Sequence, residues 1–382
     1  MEAPKKRVPA LRQAQGERCS SSARGELVEP RAGHEGISAA LTVRGQKLRR
    51  AVLAAALLAA ILLAACGGSD DDAGSGEDKL RVVTTVAPIT SIVENIGGTK
   101  IQLEGVVPEG VNSHTFEPAP SVARLLSKAD LIVLNGLKLE EPTLELAEAN
   151  KKEGATILLL GDNTLTPEQY VYDFSFPKED GNPNPHLWPN VALTMNYAKL
   201  VHDRLVELDQ TNAAYYNANF QTYTQRLQAL DEDIRQAVQT IPPENRRLLT
   251  YHDSWAYFAE RYGMTVIGAA QPSDFSEPSA REVADLIDQV KEEKVPAVFG
   301  SEVFPSPVLR QIADETDAQY VDKLRDDDLP GKPGDPLHSY IGLMLEDMRA
   351  MIPALGGNAD ALQNVDPGLV FTDGPSPAKY PQ

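Results

Sequence analysis

The chain has 382 residues, enough for two domains, and sets 36 Lys/Arg against 55 Asp/Glu for a formal charge of −19. Residues 1–65 hold 11 of the basic and 5 of the acidic groups, so the remainder carries −25. That sign argues against nucleic acid as a partner, which needs basic patches on phosphate, and suits the attraction of cations. Both cysteines, Cys19 and Cys66, lie in the N-terminal region, so the rest of the chain has no disulfide framework, thiolate zinc site or cysteine nucleophile.

Residues 1–42 are rich in Arg, Gly, Pro, Ser and Glu without periodicity, and are expected to be disordered or a start-site misassignment. A basic stretch from Val43 to Arg50 precedes an apolar run from Ala51 to Ala65, which is short for a membrane span of about 20 residues. With Leu63-Ala64-Ala65-Cys66-Gly67 it resembles a bacterial lipoprotein signal over 43–65. The resemblance makes Cys66 the lipidated first residue of the mature protein. Residues 66–79, Gly-, Ser- and Asp-rich, form a flexible acidic tether.

Ordered structure is expected from Leu80. Strands are predicted at 80–86, 101–107, 131–134 and 156–160, with helices at 89–96 and 122–127. Short, fully apolar strands alternating with helices imply a parallel sheet covered on both faces. Residues 162–185 form a long polar loop. From Val191 to Ile241 there is neither Gly nor Pro, and Tyr216, Phe220, Tyr223, Leu227, Leu230, Ile234 and Ile241 recur at helical steps. A helix over 211–241 would be about 45 Å long, enough to join two lobes. The pattern then restarts. Strands are predicted at 247–250, 264–269, 297–299 and 319–321, and helices at 279–294, 306–316 and 339–351; Ser279 and Glu282 form a capping box. The expected fold is α/β, with two parallel-sheet lobes, 80–210 and 242–355, joined by one long rigid helix. Residues 356–382 form a loosely packed tail.

Of six histidines, His34 lies in the N-terminal region and His202 on a helical stretch. His114, His186, His252 and His338 sit in polar, Pro- or Gly-rich loops near predicted element ends, where ligands of open α/β sheets bind. Any one loop histidine, by itself, reads as a solvated side chain. Together the four could converge in the cleft on one ion, since neutral imidazole suits Zn²⁺. Trp188 and Trp255 read as core packing beneath the histidine loops.

The segments Asn112-Ser-His-Thr-Phe-Glu-Pro-Ala-Pro-Ser121, Asn184-Pro-His-Leu-Trp-Pro-Asn190 and Leu249-Thr-Tyr-His-Asp-Ser-Trp-Ala-Tyr-Phe258 resemble, in order, the metal motifs of the cluster A-I solute-binding lipoproteins of ABC transporters. The resemblance runs from about Leu80 to Leu355. It implies His114, His186 and His252 as ligands. The family's fourth ligand is commonly an Asp before a Ser/Thr-Tyr pair. Here Ser339-Tyr340 follows His338, so His338 is the expected fourth ligand and Asp335 the fallback. Glu302 resembles an acidic position near the site in relatives, and Glu117 and Asp253 could orient ligand imidazoles or serve as caps. Four nitrogen donors favour Zn²⁺, with Mn²⁺ the alternative.

The implied protein is no enzyme but a monomeric, extracytoplasmic, lipid-anchored metal carrier that serves an ABC permease and its ATPase. A surface adhesin or periplasmic metal chaperone of the same fold stays open. A zinc hydrolase is the rival of another class, but no His-Glu-x-x-His helix is present.

Overall fold

The computed structural model describes residues 79–304 and 306–381. The expected signal peptide, Cys66 and most of the tether lie outside the described residues. Among those described, no helix is long and apolar enough to cross a membrane.

The first half builds β1 (Leu80–Thr84), α1 (Ala87–Gly97), β2 (Ile101–Gly105), α2 (Pro120–Leu126), β3 (Leu131–Leu134), α3 (Glu141–Asn150) and β4 (Thr156–Leu159). The strands are parallel, in the order β4-β3-β1-β2. Side chains alternate across the sheet, and both faces are apolar. Val82, Leu103, Leu131 and Val133 face one buried cluster, while Val83, Ile132 and Leu134 face another.

Two helices follow. Asn190 caps α4 (Val191–Leu208) through its side-chain oxygen, which accepts from the amides of Ala192 and Leu193. The long helix α5 spans Ala213–Gln239, about 40 Å at the helical rise. It is shorter than the expected 211–241, because Gln210–Asn212 form a 3-10 turn braced by Asp209 and the backbone leaves the helix before Pro242.

The second half builds β5 (Arg247–Thr250), α6 (Ala256–Tyr262), β6 (Thr265–Ala269), α7 (Ala280–Glu293), β7 (Ala297–Ser301), α8 (Val308–Asp314), β8 (Gln319–Leu324) and α9 (Tyr340–Ala354). Its parallel sheet runs β6-β5-β7-β8. The capping box at Ser279 and Glu282 is formed. Ser339 caps α9 by accepting from Gly342 N–H at 2.9 Å. A side chain at Gly342 would place its Cβ 2.0 Å from the Leu337 carbonyl oxygen, so only glycine lets the 330s loop turn this tightly into α9.

The long helix is no free strut. Tyr216, Tyr223, Leu227 and Ile234 share one buried cluster with Ile92 of α1, Phe258 of α6 and Met348 and Ile352 of α9. A continuous core across both halves opposes wide hinge opening, because interiors packed at this density do not deform gradually.

The tail departs from the expectation of loose packing. Ala378–Lys379 form β9, parallel to β2 at the edge of the first sheet. Asp373 accepts from Thr99 Oγ1 at 2.7 Å and from Tyr215 OH at 2.8 Å. Glu94, buried on α1, accepts from Ser376 Oγ and from Tyr380 OH. The tail thereby ties the end of the second half to the first lobe. Removing residues 369–382 would leave the Glu94 carboxyl without these two donors, at a cost of about 1–3 kcal/mol for an unsatisfied buried group. The truncated protein is expected to melt earlier in a thermal scan than the full chain; equal midpoints would show the strap to be passive.

Candidate metal centre

Each of three histidines is set by its own local device. His114 lies in the 3-10 turn Ser113–Thr115 beyond β2, where its amide donates to Asn112 Oδ1 at 2.9 Å. His186 precedes α4, and Asn184 Oδ1 lies 3.1 Å from its amide and 2.9 Å from its Nδ1. His252 follows β5, with its carbonyl accepting from Thr250 Oγ1 at 2.7 Å. Its Nδ1 lies 2.5 Å from Asp326 Oδ2.

With both Nδ1 atoms engaged, the Nε2 lone pairs of His186 and His252 are left facing inward. Nε2 of His114 lies 3.2 Å from that of His186 and 3.3 Å from that of His252. Among the described residues these three form the one group whose donor atoms could share an ion. His186 and His252 are almost fully buried, whereas His114 is partly open. Burial, then the neighbouring imidazoles, hold His114 well below the usual histidine range. Burial does the same for His186, with His252 adding to it. Burial also pushes His252 down, but Asp326, Asp327 and Asp253 together outweigh it and leave the net value raised.

Three consecutive acids, Asp326, Asp327 and Asp328, line the far side. Glu302 holds this loop: its Oε1 accepts from their three amides at 2.8, 3.1 and 3.3 Å. Trp188 Nε1–H donates to the Asp326 carbonyl at 2.7 Å. The oxygens of these side chains are not equally committed. Asp326 uses Oδ2 on His252 and Oδ1 on the Asp327 amide. Both oxygens of Asp328 accept from Gly110 N–H. Asp327 accepts from Ser113 Oγ at 2.6 Å through Oδ2, and its buried Oδ1 has no hydrogen-bond donor. Burial and Asp326 raise its carboxyl to about 7, against the pull of His252.

His338 does not join the group, which corrects the expected fourth ligand. Its Nδ1 faces the Pro330 carbonyl at 3.3 Å, its Nε2 lies 3.6 Å from Glu109, and Tyr380 of the tail packs edge-on against its ring at 4.5 Å. The fallback Asp335 is exposed and caps its own turn through the Lys332 amide. Glu117 is exposed. Asp253 turns to the Ser175 amide at 2.8 Å, so it anchors the 162–185 loop and orients no imidazole. Trp255 packs in the core against Phe258. Trp188 does more than the packing expected of it, since it also holds Asp326. Asp326 and Asp327 escaped the sequence reading, although the acidic triplet beside Leu329 was its visible trace.

Residues 82–354 match the family described as zinc-uptake complex component A, periplasmic. The chain belongs to this family. It is 29% identical over 275 residues to the manganese ABC transporter substrate-binding lipoprotein PsaA of Streptococcus pneumoniae, covering 71% of this chain and 87% of that one. It is 30% identical over 266 residues to the iron-binding protein YfeA of Yersinia pestis, covering 70% and 83%. Among solved structures, the periplasmic zinc-binding protein TroA of Treponema pallidum superposes with a TM-score of 0.66 at 28% identity, covering 72% of this chain and 99% of that one. The two parallel-sheet α/β lobes are the fold of this family.

Proposed function

We propose that this chain captures one divalent transition-metal ion, Zn²⁺ before Mn²⁺, between its lobes and delivers it to an ABC permease driven by its ATPase. The spacing of the three Nε2 atoms carries this reading. Zinc–nitrogen bonds of about 2.0–2.1 Å in tetrahedral geometry put ligand atoms about 3.3–3.4 Å apart, and the observed separations are 3.2 and 3.3 Å. As fourth donor we propose Asp327, which would have to move in from outside the three-histidine group: of the two triplet oxygens without a hydrogen-bond donor, Asp326 Oδ2 lies 2.5 Å from His252 Nδ1, which leaves Asp327 Oδ1. Three imidazoles and one carboxylate suit tetrahedral zinc better than the oxygen-rich octahedron of manganese. Four protein donors also leave no open position for a reactive water, which separates a carrier from a zinc hydrolase. The shared core limits release to small sliding of the lobes. An extracytoplasmic site on a lipid anchor at Cys66 fits the lipoprotein relatives.

Competition titration of the mature domain with Zn²⁺ tests the ligand set. One tightly held ion per chain is expected for the wild type, and a domain that ignores transition metals would end the proposal. Asp327→Asn is expected to weaken binding by about 10–100-fold or more, the range seen when groups around a metal are removed. His338→Ala should stay within about threefold, because exchanging a residue outside the coordination set leaves the ligand field intact. The reverse ranking would restore His338 as a ligand.

A further inference from the structure

The three imidazoles are closed off by two phenylalanines from opposite halves of the molecule. Phe176, in the 162–185 loop, has its ring 5.6 Å from His114 and 5.7 Å from His186. Phe275, in the loop after β6, stacks on His114 with centroids 4.4 Å apart and planes at 20°. The two rings lie 6.1 Å from each other. Outside them is a cavity of about 180 Å³ lined in part by Lys138, Glu141 and Asp180 as well as by His114 and both phenylalanines. His186 and His252 do not line it. An ion arriving from this cavity therefore meets His114 and the aromatic pair before His186 and His252.

The two rings are held differently. Ser175, beside Phe176, donates its amide to Asp253 and its hydroxyl to the Gln271 carbonyl at 2.5 Å, so this leaf is fastened to the second lobe. Phe275 is held by a local turn, its amide donating to the Pro272 carbonyl at 3.0 Å, with Asp274 bonded to Ser276 beside it. Its φ is +58°, a left-handed value that costs a bulky residue energy and persists where the surroundings enforce it. Here the turn to Pro272 holds the backbone, and the stack on His114 holds the ring.

We propose that Phe275 is the moving leaf of an aromatic gate, and that it sets how fast metal enters and leaves rather than how tightly it is held. This rests on the metal-site reading above. An apolar ring over the exposed edge of His114 excludes the water and chelating groups that must replace the protein ligands on release.

The test uses the mature protein preloaded with Zn²⁺ and mixed rapidly with an excess of a chromogenic chelator, alongside equilibrium competition for affinity. Phe275→Gly removes the ring and accommodates the positive φ, and Phe275→Tyr keeps an aromatic leaf. For Phe275→Gly, release and capture are both expected to speed up by about tenfold or more with affinity changed by less than about threefold, since a gate alters rates in both directions. Phe275→Tyr should exchange near the wild-type rate. Unchanged exchange in Phe275→Gly would overturn the gate. So would faster release with unchanged capture, which would make Phe275 part of the binding energy. If the wild type itself holds no metal, the metal-site reading fails, a result distinct from either of these.

Discussion

Replacing His186 by alanine is expected to weaken zinc binding by more than about 100-fold, beyond the 10–100-fold cost typical of outer groups. His186 is the most deeply enclosed of the three imidazoles, at 0% exposure. Asn184 fixes its amide and its Nδ1 together, and Asn184 is itself held by donating to the Asp253 carbonyl at 2.8 Å. The ring therefore meets an ion already in the required tautomer and direction. Its loss removes a coordinate bond and leaves an apolar wall of Phe176 and Trp188 where no other donor can swing in. Asn184→Ala should show a smaller loss, about 10–100-fold, because the ring remains but is no longer aimed. His202→Ala is the control, since His202 stacks on Phe220 and bonds Asn217 far along the chain. Competition titration checks all three. A His186→Ala protein that binds within tenfold of the wild type would sink the three-histidine centre.

Zinc affinity is expected to fall as pH drops below 7, with between one and two protons competing for each ion. The sign follows from the metal-free site. Burial and their neighbours hold His114 and His186 well below the usual histidine range, so they are neutral and carry no proton to displace. His252 is raised by Asp326, with Asp327 and Asp253, against the effect of burial. Burial and Asp326 raise Asp327 to about 7. Both groups must be deprotonated to ligate, so a raised value extends proton competition upward in pH. Below both values the affinity should fall by up to about 100-fold per pH unit, and above both it should level off. Titrations between pH 5.5 and 8, with proton release read from buffers of different ionisation heat, measure the slope. Asp327→Asn should bring it towards one. A slope of three or more would mean that His114 and His186 also titrate, contrary to their enclosure.

The parts of the fold legible in the sequence are those where one local pattern suffices. The strands at 131–134 and 247–250 fall where their apolar runs place them, and the Ser279 capping box opens its helix as its spacing requires. Helix α3 went unread because it buries little beyond Thr143 and Ala147, so its apolar stripe is faint. Strand β9 is two residues in a proline-rich tail, and only the open edge of β2 makes it a strand.

By itself the sequence determined the two α/β halves, and its resemblance to the family motifs pointed to the three histidines that the fold brings together; two of those loops also carry a side chain that fixes the histidine locally. Asn112 serves His114 and Asn184 serves His186 from two residues away. The proposed fourth donor, Asp327, rests on tertiary structure alone. Which of three adjacent aspartates keeps an uncommitted oxygen depends on Glu302, His252, Gly110 and Ser113, brought together from both lobes. Closeness in sequence to Ser339 and Tyr340 pointed to His338, but folding turned that ring toward Pro330, Glu109 and the returning tail. A hydrogen-bond inventory of this kind has no local signature, because it is complete only when every buried polar atom has met its partner.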